Sequence, residues 1–291
     1  MANAPVISTE EPEVLEHPAI KYFRFGAPGS PHIWCEGCGI GQIWYYTAIA
    51  IDELGLDPNT VVWVGGSGCT GRMCTYWKYD YMHTLHGRPL GFATGIKLAN
   101  PGLTVICHMG DGETSAIGGN HLIQTARRNA DVVAICVNNF IYGMTGGQYS
   151  PTSPMGSFSA TSKYGLVEDG FDLCRLVAAA GGTYVARATT AHPRPCINYI
   201  KKAIQKKGFS FVEIISQCPT FYGRSNNLGS DSIAMLEWMK RTFVRKEQFE
   251  KMGPEERQGK MPWGEFVDIE RPEVVAGLHE LARAQREAYR G

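Results

Sequence analysis

Thr104-Val-Ile-Cys-His-Met-Gly-Asp-Gly112 is the stretch that decides the fold. Thr104 to Met109 is a largely apolar run, which predicts a buried parallel strand ending at Gly110. Residues 116–128 predict a helix despite two glycines, and residues 131–137 predict the next strand. That strand delivers Asn138 and Asn139 at its carboxyl end, Asn139 standing 28 positions after Asp111. Asp111 and Asn139 thus sit at the carboxyl ends of adjacent strands, where open α/β sheets bind ligands. A hard divalent cation takes oxygen ligands in near-octahedral geometry. Asp111 offers a carboxylate, Asn139 a side-chain carbonyl, and Ile141 a backbone carbonyl two residues on. Gly110 and Gly112 let the backbone approach phosphates closely.

Alternation of strands and helices continues on both sides of this unit. Helices are expected over 40–54, 86–98, 172–180 and 193–207, and strands over 60–65, 183–188 and 210–216. That order predicts an α/β fold, a doubly wound parallel sheet. Residues 141–165 form a long loop rich in Gly, Ser, Thr and Pro, of the kind kept for function. Residues 1–33 are Pro-rich without periodicity and read as an arm lying on another surface. The site domain then spans 34–230. Residues 231–291 are highly charged and read as a helical extension, interrupted by a Pro-Trp-Gly break at 261–264.

Composition sets outer limits. The chain has 291 residues, 44% hydrophobic and 19% charged, with net charge +0. Such a balance suits a substantial core and points away from nucleic acid or an anionic membrane surface. No apolar run is long enough for a transmembrane helix. The acidic, proline-bearing start lacks the basic and apolar regions of a signal peptide, so a cytoplasmic location is expected.

Nine cysteines in a reducing compartment read as thiols or metal ligands. Cys35-Glu-Gly-Cys38 is a closely spaced pair, while Cys69 and Cys218 each follow an apolar run. Both singles can therefore converge with the pair at the Asp111 end of the sheet. Four thiolates can hold an iron–sulfur cluster or a structural zinc. Spacing leaves cluster, zinc and unrelated thiols all open, with proximity to Asp111 favouring the cluster. Cys74, Cys107, Cys136, Cys174 and Cys196 lie in apolar contexts that suit core packing.

Residues 34–39 (Trp-Cys-Glu-Gly-Cys-Gly), 68–72 (Gly-Cys-Thr-Gly-Arg), 83–88, 93–101, Gly110-Asp-Gly112 and 141–148 (Ile-Tyr-Gly-Met-Thr-Gly-Gly-Gln) occur together in order. This set resembles the β subunits of 2-oxoacid:ferredoxin oxidoreductases, nearest the 2-oxoglutarate type, over roughly residues 30 to 225. The resemblance implies that Cys35, Cys38, Cys69 and Cys218 hold one [4Fe-4S] cluster. It implies that Asp111, Asn139 and the Ile141 carbonyl hold Mg²⁺. Ile40, Ser67, Gly68, Cys69, His86, Gly110, Gly112, Glu113, Tyr142, Gly143 and Met144 are implied to line the thiamine diphosphate site. The implied reaction is coenzyme A-dependent oxidative decarboxylation of 2-oxoglutarate to succinyl-CoA and carbon dioxide, or the reverse, with electrons passing through the cluster to ferredoxin. The glutamate that activates thiamine is expected on a partner α subunit, in an αβ or (αβ)₂ assembly, so no acid–base catalyst is named in this chain.

A distal carboxylate is best held by arginine, which binds bidentately. Arg72 and His86 are the substrate candidates, with Arg88 and His83 nearby. Met144 departs from the pyruvate-type pattern, which resembles an asparagine there. Pyruvate or branched-chain acids are the alternative substrates. A non-redox thiamine decarboxylase or synthase with a structural zinc is the alternative chemistry. A lysine face at Lys201, Lys202, Lys206 and Lys207 is a candidate dock for an acidic ferredoxin.

Overall fold

The computed structural model describes residues 18–24, 32–229 and 231–289. Most of the expected arm, 1–17 and 25–31, lies outside the described residues. Its described part turns at Pro18–Tyr22 and bridges Phe23 to Trp77. Tyr22 and Phe23 are buried against this chain's own core.

The chain begins with helix α1 (Gly39–Leu54), strands β1 (Val61–Gly65) and β2 (Asp80–His83), and helix α2 (Pro89–Ala99). Strand β3 (Thr104–Gly110), helices α3 (Asp111–Ser115) and α4 (Gly119–Arg128), and strand β4 (Val133–Asn138) follow. A small hairpin, β5 (Ile141–Tyr142) and β6 (Gln148–Tyr149), opens the long loop. Then come α5 (Leu173–Ala180), β7 (Tyr184–Thr189), α6 (Pro193–Gln205) and β8 (Ser210–Ile215). The last stretch holds α7 (Ser232–Thr242), β9 (Phe243–Arg245), α8 (Lys246–Phe249), α9 (Pro254–Arg257), β10 (Met261–Asp268) and α10 (Val274–Ala288).

The strand order is β2-β1-β3-β4-β8-β7-β10-β9. The first six strands are parallel, as expected of crossover connections. β10 runs antiparallel to β7 and carries β9 at the far edge. The extension beyond Asp231 is therefore helical in four places but also lengthens the sheet. The stretch at Met261, read from sequence as a break, is a strand. Its Pro262 and Gly264 disguised it, since both residues weaken strands, and Pro is confined to edges and bulges.

Side chains alternate between two faces along each strand. Trp63, Ile106, Ile135 and Val212 pack under α1 and α6, while Val64, Cys107, Ala134 and Phe211 pack under α2, α4 and α5. The chain leaves β1 for β2 on one side and returns to β3 on the other. The order thus reverses between β1 and β3, and a crevice opens at their carboxyl ends.

Candidate functional site

At that switch point a cavity of about 570 Å³ is lined by the loop after β1, the β3–α3 turn and the turn after β4. Ser67, Gly68, Cys69, His86, Gly110, Asp111, Gly112, Glu113, Asn139, Ile141, Tyr142, Gly143 and Met144 all line it. Ile40 does not: it is fully buried in the core behind Cys38, whose thiol its backbone N–H approaches. Arg72 is absent from the lining: it lies in the turn Gly71–Tyr76, just past Thr70, the last residue of that loop to line the cavity. Arg88 is absent from the lining but donates to the carbonyl of Ile117 at 3.1 Å, and His83 lies on the exposed β2. Of the substrate candidates only His86 reaches the cavity, with Nδ1 3.9 Å from Glu113 Oε1.

Asp111 is 2% exposed at the first position of α3. Its Oδ2 accepts from Ser150 Oγ at 2.5 Å and Thr152 Oγ1 at 2.8 Å. Burial pushes the carboxyl up to about 6, partly offset by those two hydroxyls. The opposite oxygen, Oδ1, faces the Asn139 side chain. As placed, the Asn139 amide oxygen meets only acceptors: the Ile141 carbonyl at 2.9 Å and Asp111 Oδ1 at 3.2 Å. Rotating the amide would turn both contacts into N–H donations. Left as it stands, it makes a face of three oxygens. An octahedral cation of Mg²⁺ size, about 2.0–2.1 Å from each ligand, holds neighbouring oxygens roughly 2.9 Å apart. The residues present fit such an ion.

The turn that presents this face is strained. Phe140 has φ 62°, in the left-handed region that a bulky side chain rarely adopts. Its N–H donates to Asn138 Oδ1 at 3.1 Å, and Ser153 Oγ donates to its carbonyl at 2.6 Å. Those bonds hold Asn139 and Ile141 pointing at one spot.

Glu113 ties three segments together. Its Oε1 accepts from Ser67 N–H at 3.1 Å and Gly87 N–H at 2.9 Å, while Oε2 has no hydrogen-bond partner among the described residues. Burial pushes the carboxyl up to about 7 against those backbone donors. A Cβ on Gly66 would run into this carboxylate, and one on Gly112 would come within 2.3 Å of the Tyr142 ring. Glycine at these two places makes the tight approach possible.

The four sequence-selected cysteines gather beside the cavity. Burial, with Cys218, Cys69 and Cys35 adding through space, raises Cys38 to about 12. Burial also raises Cys69 to about 11, again with Cys218 and Cys35 adding. Backbone N–H groups of the turn at Pro219–Gly223 face the Cys218 sulfur. Cys69 belongs to both groups: it lines the cavity, and the Met144 N–H points at its sulfur. Trp34 donates to the Cys69 carbonyl at 2.8 Å. Cys74, Cys107, Cys136, Cys174 and Cys196 are buried in the core. All nine cysteines are free thiols.

Sequence reasoning missed Thr70, Ile117 and Thr145 in the lining, and the Ser150 and Thr152 hydroxyls that grip Asp111. The latter lie 39 and 41 positions from Asp111. The one available signal was the hydroxyl-rich composition of the long loop.

Fold and site together define a thiamine diphosphate-binding protein. Residues 59–214 match the family described as thiamine pyrophosphate enzyme, C-terminal TPP binding domain. A 2-oxoglutarate synthase subunit KorB of Methanothermobacter marburgensis is 51% identical over 92% of this chain and 93% of its own length. That of Methanocaldococcus jannaschii is 49% identical over 91% and 97%. A solved 2-oxoglutarate:ferredoxin oxidoreductase from Magnetococcus marinus, with 2-oxoglutarate, coenzyme A and succinyl-CoA bound, superposes with TM-score 0.80 at 30% identity. That match covers 94% of this chain and 92% of the other. The chain belongs to the family of 2-oxoacid:ferredoxin oxidoreductase β subunits.

Proposed function

We propose that this chain is the β subunit of a 2-oxoglutarate:ferredoxin oxidoreductase. Working with an α subunit, it interconverts 2-oxoglutarate plus coenzyme A with succinyl-CoA plus carbon dioxide and exchanges the electrons with ferredoxin. The observation that carries this reading is Cys69, which lines the cavity and also lies close enough to Cys35, Cys38 and Cys218 for their charges to be felt. When bound, thiamine diphosphate supplies the sink for the electron pair released on decarboxylation, and a [4Fe-4S] cluster supplies the one-electron acceptor.

This chain's residues do the positioning. Asp111, Asn139 and the Ile141 carbonyl hold Mg²⁺, and Gly110 to Gly112 bring backbone close to the diphosphate. Tyr142 braces that turn by donating its hydroxyl to the Gly112 carbonyl at 3.0 Å. Glu113 pins the loop bearing Ser67 and the turn bearing His86, setting the width of the cavity. His86 is the side chain in the lining best able to meet a substrate carboxylate. Cys35, Cys38, Cys69 and Cys218 hold the cluster. Zinc thiolates at about 2.3 Å would stand roughly 3.8 Å apart around one point. No three His, Cys, Asp or Glu side chains among the described residues converge that way, whereas the four thiols lie near enough to perturb one another. Nine unpaired thiols suit a reducing cytoplasm, and no described helix is long and apolar enough to cross a membrane.

Metal analysis of the anaerobically isolated αβ complex tests the reading. About four irons and four acid-labile sulfides per β chain are expected with bound thiamine diphosphate, and Cys69→Ser should lose them. One zinc and no sulfide would move the chain to the non-redox class.

A further inference from the structure

The bonds that grip Asp111 continue past Thr152. The Thr152 hydroxyl also stands 3.1 Å from Asn138 Oδ1, the oxygen that accepts from Phe140 N–H. Asn138 Nδ2 donates to Glu213 Oε1 at 2.8 Å. Glu213 Oε2 accepts from Arg187 Nε at 2.6 Å. Arg187 then donates Nη2 to Asp172 Oδ1 at 2.6 Å and Nη1 to the Pro262 carbonyl at 3.1 Å. Arg187 is 0% exposed and Glu213 1%. Three neighbouring strands supply this chain of contacts, since Glu213 on β8 stands opposite Cys136 on β4 and Arg187 on β7.

The direction of each bond matters. An ionised carboxylate can only accept, so Glu213 compels Asn138 to turn its amide nitrogen inward. The Asn138 oxygen is thereby aimed at Phe140 N–H and Thr152. That contact holds Phe140 at φ 62°, and Phe140 separates the two carbonyl donors Asn139 and Ile141. A buried ion pair generally gains nothing over well-packed apolar residues of the same volume. Its stability does not account for its place here, whereas its effect on Asn138 does.

We propose that Glu213 and Arg187 are positioning residues for divalent-cation binding: together they lock Asn138, and through it the strained turn that sets the Asn139 and Ile141 oxygens. The inference rests on the cation reading given above. Titration of the αβ complex with Mn²⁺ in the presence of thiamine diphosphate, read by the electron paramagnetic resonance of free Mn²⁺, tests it alongside melting temperature. Glu213→Gln keeps the shape but can offer an N–H to Asn138, and should weaken Mn²⁺ binding about 10-fold or more. At saturating Mn²⁺ its turnover should recover to near the wild-type value. The double variant Glu213→Leu/Arg187→Met removes both charges, and should melt near wild type while still binding Mn²⁺ at least 10-fold more weakly. Should the double variant not assemble, Glu213→Gln decides by the same readouts. Wild-type affinity in Glu213→Gln, or its restoration in the double variant, would overturn the proposal and leave the pair a stability element. Wild-type complex showing no cofactor-dependent Mn²⁺ uptake would instead sink the cation reading, and the proposal with it.

Discussion

At the scale of single residues, the site was legible wherever chemistry and spacing coincide. Asp111 and Asn139 declare themselves by residue type at two strand ends, and the structure sets the Asn139 amide 3.2 Å from Asp111 Oδ1. Ser150 and Thr152 did not declare themselves, because a hydroxyl in a loop has many uses and only the folded chain shows which carboxylate it meets. Arg72 was named on its chemistry and its place after Cys69, and it falls two residues past the last lining residue of that loop, Thr70. Replacement of Asp111 separates binding from stability. Asp111→Asn should abolish Mg²⁺-dependent uptake of thiamine diphosphate, lowering affinity at least 100-fold by fluorescence titration. Stability of the cofactor-free complex should hold or rise, because desolvation disfavours the charge that is removed. Retained cofactor affinity would remove Asp111 from the cation site.

Elements were readable where a full hydrophobic period was present and unreadable at the edges of the sheet. β1, β3, β4, β7 and β8 are buried throughout most of their length and carry apolar runs. β2 is a four-residue edge strand with every residue exposed, so burial left no period in its sequence. β10 was hidden by Pro262 and Gly264. Pairing of β1 with β3 has a consequence of its own. His108 stacks on Trp63 with ring centroids 4.8 Å apart, and neither ring nitrogen has a hydrogen-bond partner among the described residues. Burial lowers its pKa from 6.5 to about 3. Between those values the unfolded chain binds a proton that the folded chain refuses. Stability contributed by neutral His108 is therefore full above pH 6.5 and lost as pH falls toward 3. Relative to wild type, His108→Phe should gain about 2 kcal/mol in denaturant unfolding at pH 5 compared with pH 7. An equal difference at both pH values would show that His108 titrates normally in the folded chain.

Over the whole molecule, an order reversal between β1 and β3 places Asp111, Asn139 and Cys69 at one end of one sheet. The lysines of α6 and of the two residues after it have partners within the chain. Lys201 pairs with Glu53, Lys202 with Glu265, Lys206 with Asp268 and Glu270, and Lys207 with Asp131. Each charge is met within the chain, and the pairs with Glu265, Asp268 and Glu270 fasten α6 to β10 and the residues just after it. Reversal of Lys202 and Lys206 to Glu should leave the ionic-strength dependence of ferredoxin reduction unchanged. A flattened salt dependence would restore this face as the electron-partner dock.

Family membership, the three-oxygen face and the Cys69 bridge all converge on ferredoxin-linked 2-oxoacid chemistry, and the most direct test is turnover by the whole complex. Anaerobic reduction of ferredoxin would be followed with coenzyme A and a panel of 2-oxo acids. Reduction that needs coenzyme A and is fastest per KM with 2-oxoglutarate is the expected result. Preference for pyruvate or a branched-chain acid would contradict the substrate assignment. No reduction with any acid, in a complex shown to hold iron and thiamine diphosphate, would contradict the function itself.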